Sequence, residues 1–181
     1  LTRRTLDVER AQEGEEYRTN VALKKTIGCI LMSDDYDQYE IECERIRESN
    51  GKLLDDFTIW LQHSGLSSKT IDKHTENIDF YINEFLLYED AEEPQEGVHS
   101  IGMFLGYWFI QKAMWASASS IKSNAVSLKK FYTFLHERGL VSQDDLDLLK
   151  ETIKEEMPEW LATLARYDDP SITDMGEVWG L

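Results

Sequence analysis

The chain has 181 residues, a formal net charge of −16, a hydrophobic fraction of 41% and an aromatic fraction of 11%. That length holds one domain of about 100–150 residues with extensions, and those fractions exclude wholesale disorder. With 10 Gly and 3 Pro there are too few turn signals for a β-sandwich or barrel, so the composition implies an all-α chain. The longest apolar run, Ile101 to Ile110, is about half of what crosses a bilayer, and Leu1-Thr2-Arg3-Arg4-Thr5 leads into charge rather than a signal sequence. Cys29 and Cys43 have no CxxC and no His at ligand spacing, so two reduced thiols in a cytoplasmic protein are expected, with no metal and no cofactor.

In chain order, periodicity predicts a helix over Glu15–Met32, with Val21, Leu23, Ile27, Ile30 and Leu31 apolar. Ser33-Asp34-Asp35 caps a second over Tyr36–Glu48, which Asn50-Gly51 is expected to stop. Leu53, Leu54, Phe57, Trp60 and Leu61 recur at helical spacing until His63-Ser64-Gly65-Leu66. Ser67 or Ser68 then caps a helix to about Tyr88, its inward stripe Ile71, Ile78, Ile82 and Phe85. The acidic stretch Glu89–Val98 reads as a loop.

Ser100 caps a helix from Ile101 to about Trp115 that is apolar nearly all round, with Gly102 and Gly106 permitting close packing. Not all of its aromatic residues can face inward. Tyr107, Phe109 and Trp115 are therefore the candidate interaction surface, for a protein partner or a homo-oligomer through helix 101–115. Ser117-Ala118-Ser119-Ser120 starts the last long amphipathic helix, which buries Ile121, Ala125, Leu128, Tyr132 and Leu135 and ends near Gly139. Ser142 with Asp145 opens a helix over Asp144–Glu156, and Pro158 fits the start of another over Glu159–Arg166. From Asp168 onward no period remains, and a mobile end is expected.

The middle of the chain resembles a known family. Leu54-Asp55-Asp56-Phe57-Thr58-Ile59-Trp60-Leu61 followed by Gly65-Leu66-Ser67-Ser68-Lys69-Thr70-Ile71 is similar to the opening of the N-terminal core-binding domain of tyrosine recombinases (phage integrases). Ser119-Ser120-Ile121-Lys122, then Leu128-Lys129-Lys130-Phe131-Tyr132-Thr133-Phe134-Leu135 and Glu137-Arg138-Gly139-Leu140, resembles that domain's closing helix. The resemblance covers about residues 52–142 and implies a SAM-like four-helix bundle that clamps one side of duplex DNA. It divides the chain into an N-terminal helical extension (1–50), the core-binding domain (51–142) and an acidic C-terminal helical tail (143–181).

Carried over by position, the resemblance makes Lys69, Lys73 and His74 on one helix, and Lys122, Lys129 and Lys130 on another, candidate DNA contacts. Ser123 and Asn124 lie beside Lys122 and are candidate phosphate donors. The family's chemistry needs an HxxR box, but the residues three after His63, His74, His99 and His136 are Leu66, Asn77, Gly102 and Gly139. Without an arginine clamp no tyrosine here is equipped for phosphoryl transfer, so the chain is not expected to be an enzyme.

Charge is unevenly spread. Residues 51–140 carry 8 basic and 12 acidic groups, while residues 141–181 carry 3 and 11. Two functions are consistent with the pattern: a DNA-binding module without catalysis, or a helical protein-interaction module that kept the fold and lost DNA. Lysines converging on a face free of carboxylates favour the first, and interleaved acids the second.

Overall fold

A computed structural model describes residues 36–180, and the helix expected over Glu15–Met32, like Cys29, lies outside them. The chain divides between Glu42 and Cys43, and the second unit, Cys43–Leu181, holds the hydrophobic core. The described residues are all helical, with no strand among them, and none of their helices is long and apolar enough to cross a membrane.

The first described helix, α1, spans residues 36–63 and runs through Asn50-Gly51 unbroken, against expectation. Asn50 is buried and donates Nδ2 to the Ile82 carbonyl (3.3 Å) and to Asn83 Oδ1 (2.8 Å), so tertiary partners hold a residue that would otherwise favour a cap. The chain turns instead at Gly65, where φ is +71°. Ser67 then caps α2 (Ser68–Phe80), accepting from the Thr70 amide at 3.3 Å, and α2 continues into a π turn, Tyr81–Phe85.

The apolar helix α3 (residues 101–112) carries a second π turn, Phe104–Trp108. The two π turns pack through rings: Tyr81 and Phe85 lie 4.8 and 5.0 Å from Phe104, centroid to centroid. Each π turn rotates the residues beyond it, which lets one helix bury aromatic residues on more than one side. α3 ends at Lys112, and Ala113 is already extended, so Trp115 is off the helix. α4 (Ala118–Glu137) opens with a reciprocal Ser117/Ser120 capping box. It buries the whole expected stripe together with Phe131 and Phe134.

α5 (Gln143–Tyr167) is a single helix with Pro158 inside it, in place of the two helices expected. Its buried residues Leu146, Leu149, Ile153, Trp160 and Leu164 keep one period across the proline and belong to the same core as α2, α3 and α4. That shared face outweighs the backbone hydrogen bond that proline removes. A Cβ on Gly106 would stand 2.6 Å from Trp160 Cδ1, so the α3 glycine is needed for the approach of α5. The last segment is not a bare mobile end: Asp174 caps α6 (Met175–Trp179), Val178 is buried, and Arg166 Nε donates to its carbonyl at 2.8 Å.

Two buried tyrosines tie down the acidic loop. Tyr132 Oη donates to the Pro94 carbonyl (2.8 Å) and Tyr81 Oη to the Gly97 carbonyl (2.5 Å). Burial pushes both phenols well above their ordinary pKa, so both stay neutral donors and neither is poised as a nucleophile.

Candidate nucleic-acid interface

α2 and α4 pack along a polar seam. Asn77 Nδ2 donates to Ser123 Oγ (3.1 Å) and Ser127 Oγ (2.9 Å), and Ser127 Oγ donates to the Ser123 carbonyl (3.0 Å). That spends the single Ser127 proton, so His74 Nδ1, 2.8 Å away, is the donor to Ser127 Oγ and Nε2 is the nitrogen left to titrate. Burial, then the charges of Lys130 and Lys73, hold the His74 pKa below its ordinary value. His74 is 7% exposed and Asn124 3%, with Asn124 Nδ2 given to the Ser120 carbonyl (2.9 Å). The sequence makes both of them candidate phosphate contacts. These bonds commit His74 Nδ1 to the seam and Asn124 Nδ2 to α4, and burial leaves both side chains little surface to offer a phosphate.

The lysines remain outside. Lys69 and Lys73, one turn apart on α2, line a groove of about 520 Å³ whose other wall is Ser120, Ser123 and Asn124 of α4. Lys130 continues the α4 stripe Ser123, Ser127 at i+4 and i+7, beside His74. Lys122 and Lys129 do not line the groove. They share the neighbouring stripe with exposed Val126. The lysines therefore form a groove pair, a seam residue and a flanking pair. None of Lys69, Lys73, Lys122, Lys129 and Lys130 has a salt bridge among the described residues, Lys73 with Glu76 three positions on included.

Acids enter this surface from one side only. Asp72 and Glu76 of α2 line the same groove, whereas α4 has no carboxylate before Glu137. The exclusion reaches further than α4: from Gly97 through His136 the chain contains no Asp or Glu, although 35 of its 181 residues are acidic. That forty-residue gap is the signal in the sequence that block averages of charge conceal.

The candidate interaction surface is only partly exposed. Phe109 is fully buried, facing Phe80 and Phe104, and leaves that set. Tyr107 packs on Trp179 of α6 at 4.6 Å, so part of the cover sought from another chain comes from the C-terminal segment. Trp115 is 57% exposed, lies over Phe80 at 5.3 Å and borders the lysine groove. No cluster of three or more His, Cys, Asp or Glu among the described residues is arranged to hold a metal ion. Cys43 is a buried free thiol. Comparison with family models, with curated proteins and with solved structures returned no match.

Proposed function

We propose that this chain is a non-catalytic duplex-DNA-binding module, built as a SAM-like core-binding bundle and gripping the phosphate backbone through α4 with Lys69 and Lys73 of α2. The observation that carries the reading is the acid-free run of α4: Lys122, Lys129 and Lys130 have no salt bridge among the described residues and stand on a helix without a carboxylate until its last residue, in a chain of net charge −16. Unpaired lysines beside the Ser120 and Ser123 hydroxyls are suited to phosphate oxygens, which fix register without reading bases. Asp72 and Glu76 on the α2 wall favour the second reading, a protein-interaction bundle, because carboxylates beside the Lys69/Lys73 pair repel a phosphate.

Fluorescence anisotropy of a labelled mixed-sequence duplex separates the two. The wild type is expected to bind at low salt, and the Lys122→Glu/Lys129→Glu variant to bind at least about tenfold more weakly, since each reversal removes a phosphate contact and adds repulsion. Equal affinity of the two proteins, or no binding at about 20 mM salt, removes the DNA reading and leaves the interaction module.

A further inference from the structure

The lysine groove holds more than a phosphate grip needs. Asp72 and Glu76 line it together with the amides of Asn77 and Asn124, and the two carboxylates work against a polyanion. The amides give their Nδ2 hydrogens to Ser123, Ser127 and the Ser120 carbonyl, but their Oδ1 atoms accept no hydrogen bond among the described residues. Neither oxygen is sealed in, because Trp108 Nε1 is the one side-chain polar atom among the described residues that is buried without a partner. Both Oδ1 atoms are therefore open, although Asn124 as a whole is buried. Both amides line the groove and an adjoining hollow of about 320 Å³, and Trp115 borders the two. An amide with its N–H bonded and its oxygen left open is set to receive a donor.

Trp115 supplies a platform beside these acceptors. Its indole is exposed, yet the turn that carries it is fixed. The ring rests on Phe80 at 5.3 Å, the Trp115 carbonyl accepts from Ser120 Oγ at 3.2 Å, and the Ala116 amide donates to the Ala113 carbonyl at 2.8 Å. A nucleobase stacks on such a ring whatever its identity. The acceptors are the selective part. An exocyclic amino group donates to oxygens like these, whereas a carbonyl at the same place on a base meets them lone pair to lone pair. Lys69 and Lys73 line the same groove, and the Ser123 hydroxyl accepts from Asn77 while giving its own proton to no acceptor among the described residues. Ring, acceptors and cations in one groove match a whole nucleotide better than a phosphate alone. In a paired duplex the face of a base is covered by its neighbours and its amino group is held by its partner, so the occupant is an unpaired base.

We propose that this groove takes one unpaired, amino-bearing base of the bound DNA, stacked on Trp115 with its amino group on the acceptors and its phosphate on Lys69 and Lys73. This assignment rests on the DNA reading and gives Asp72 and Glu76 a part in it. Trp115 thereby leaves the protein-interaction set and joins the nucleic-acid site.

Anisotropy titrations of the full chain at about 50 mM salt, with three labelled duplexes of one sequence, test the assignment. One is fully paired, one carries a single bulged dC, and one a single bulged dU, which has a carbonyl where dC has its amino group. The bulged-dC duplex is expected to bind at least about fivefold more tightly than either of the others. Trp115→Ala should reduce that affinity to the level of the paired duplex while leaving the paired duplex within about twofold of wild type, which a loss of folding would not do. Equal affinity for the dC and dU bulges, equal affinity for bulged and paired DNA, or a preference that survives in Trp115→Ala overturns the proposal and leaves the DNA reading standing. Failure to bind any of the three duplexes removes the DNA reading and this proposal with it. Should Trp115→Ala not fold, the comparison of the three duplexes on the wild type decides alone.

Discussion

His74 shows how a single residue can be read correctly in place and wrongly in role. The resemblance carries it over with Lys69 and Lys73 as a DNA contact, but α2 turns it into the seam, where its Nδ1–H is spent on Ser127. Protonation at Nε2 would put a third charge beside Lys73 and Lys130 in a buried setting, and the depressed pKa records that cost. The unfolded chain takes up this proton near the ordinary value of 6.5, and the folded chain only at lower pH. Between those values the unfolded state binds more protons, so acidification favours unfolding. Above 6.5 the neutral form prevails in both states, and His74 adds no pH dependence. Wild-type stability in urea is therefore expected to fall below that point relative to His74→Gln, by at most about 1.4 kcal/mol per pH unit, levelling off beneath the folded pKa. Parallel stability profiles for the two proteins between about pH 8 and 5 would assign the acid sensitivity elsewhere.

At the scale of elements, three of the expected hydroxyl caps are legible in the sequence, while Ser100, also expected to cap, makes no side-chain cap bond. Ser67, Ser117 and Ser142 all cap the helices expected of them, because a short hydroxyl beside an N-terminus is a local interaction that needs no partner from elsewhere. Asn50-Gly51, expected as a stop, and Pro158, expected as a start, mislead for the complementary reason: each interrupts a helix only when tertiary packing does not overrule it. Asn50 is held by two residues of the π turn that follows α2, more than thirty positions away, and Pro158 lies on the exposed side of a helix whose buried stripe passes it in register. The lysine positions are legible in the sequence, yet the loss of His74 and Asn124 to the packing is not, since which polar residue faces a neighbouring helix depends on the packing rotation. Pro158 also gives a direct test. Pro158→Ala restores the amide that can bond the Lys154 carbonyl and removes the ring clash, while touching no core contact. The variant is expected to be more stable by about 1–3 kcal/mol, read as a raised thermal midpoint. An unchanged or lower midpoint would mean that α5 needs a bend at this point to seat Trp160 against Gly106.

Over the whole molecule, the puzzle is how a chain of net charge −16 could hold a polyanion. On the proposed DNA reading, distance and screening would supply the answer. The acid-free stretch 97–136 brings three lysines of α4 to one surface, with two more on α2, and none of the five is neutralised by a salt bridge among the described residues. At about 0.1 M salt the Debye length is roughly 10 Å, so lysines touching phosphates act at full strength while remote carboxylates are largely screened. Five contacts at about 0.9 released counterions each give a slope of roughly 4–5 for log Kd against log salt, and Lys122→Glu/Lys129→Glu should lower it by roughly 2. At about 0.01 M the screening length grows to roughly 30 Å, and the acidic remainder of the chain joins the balance. The plot should therefore flatten at its low-salt end, where a basic DNA-binding domain would stay linear. Anisotropy titrations between about 0.01 and 0.3 M test both features together. A straight line of full slope would place the acids too far from the duplex to matter, whereas a shallow slope throughout would mean that Asp72 and Glu76 cancel the α2 lysines and that α4 binds alone.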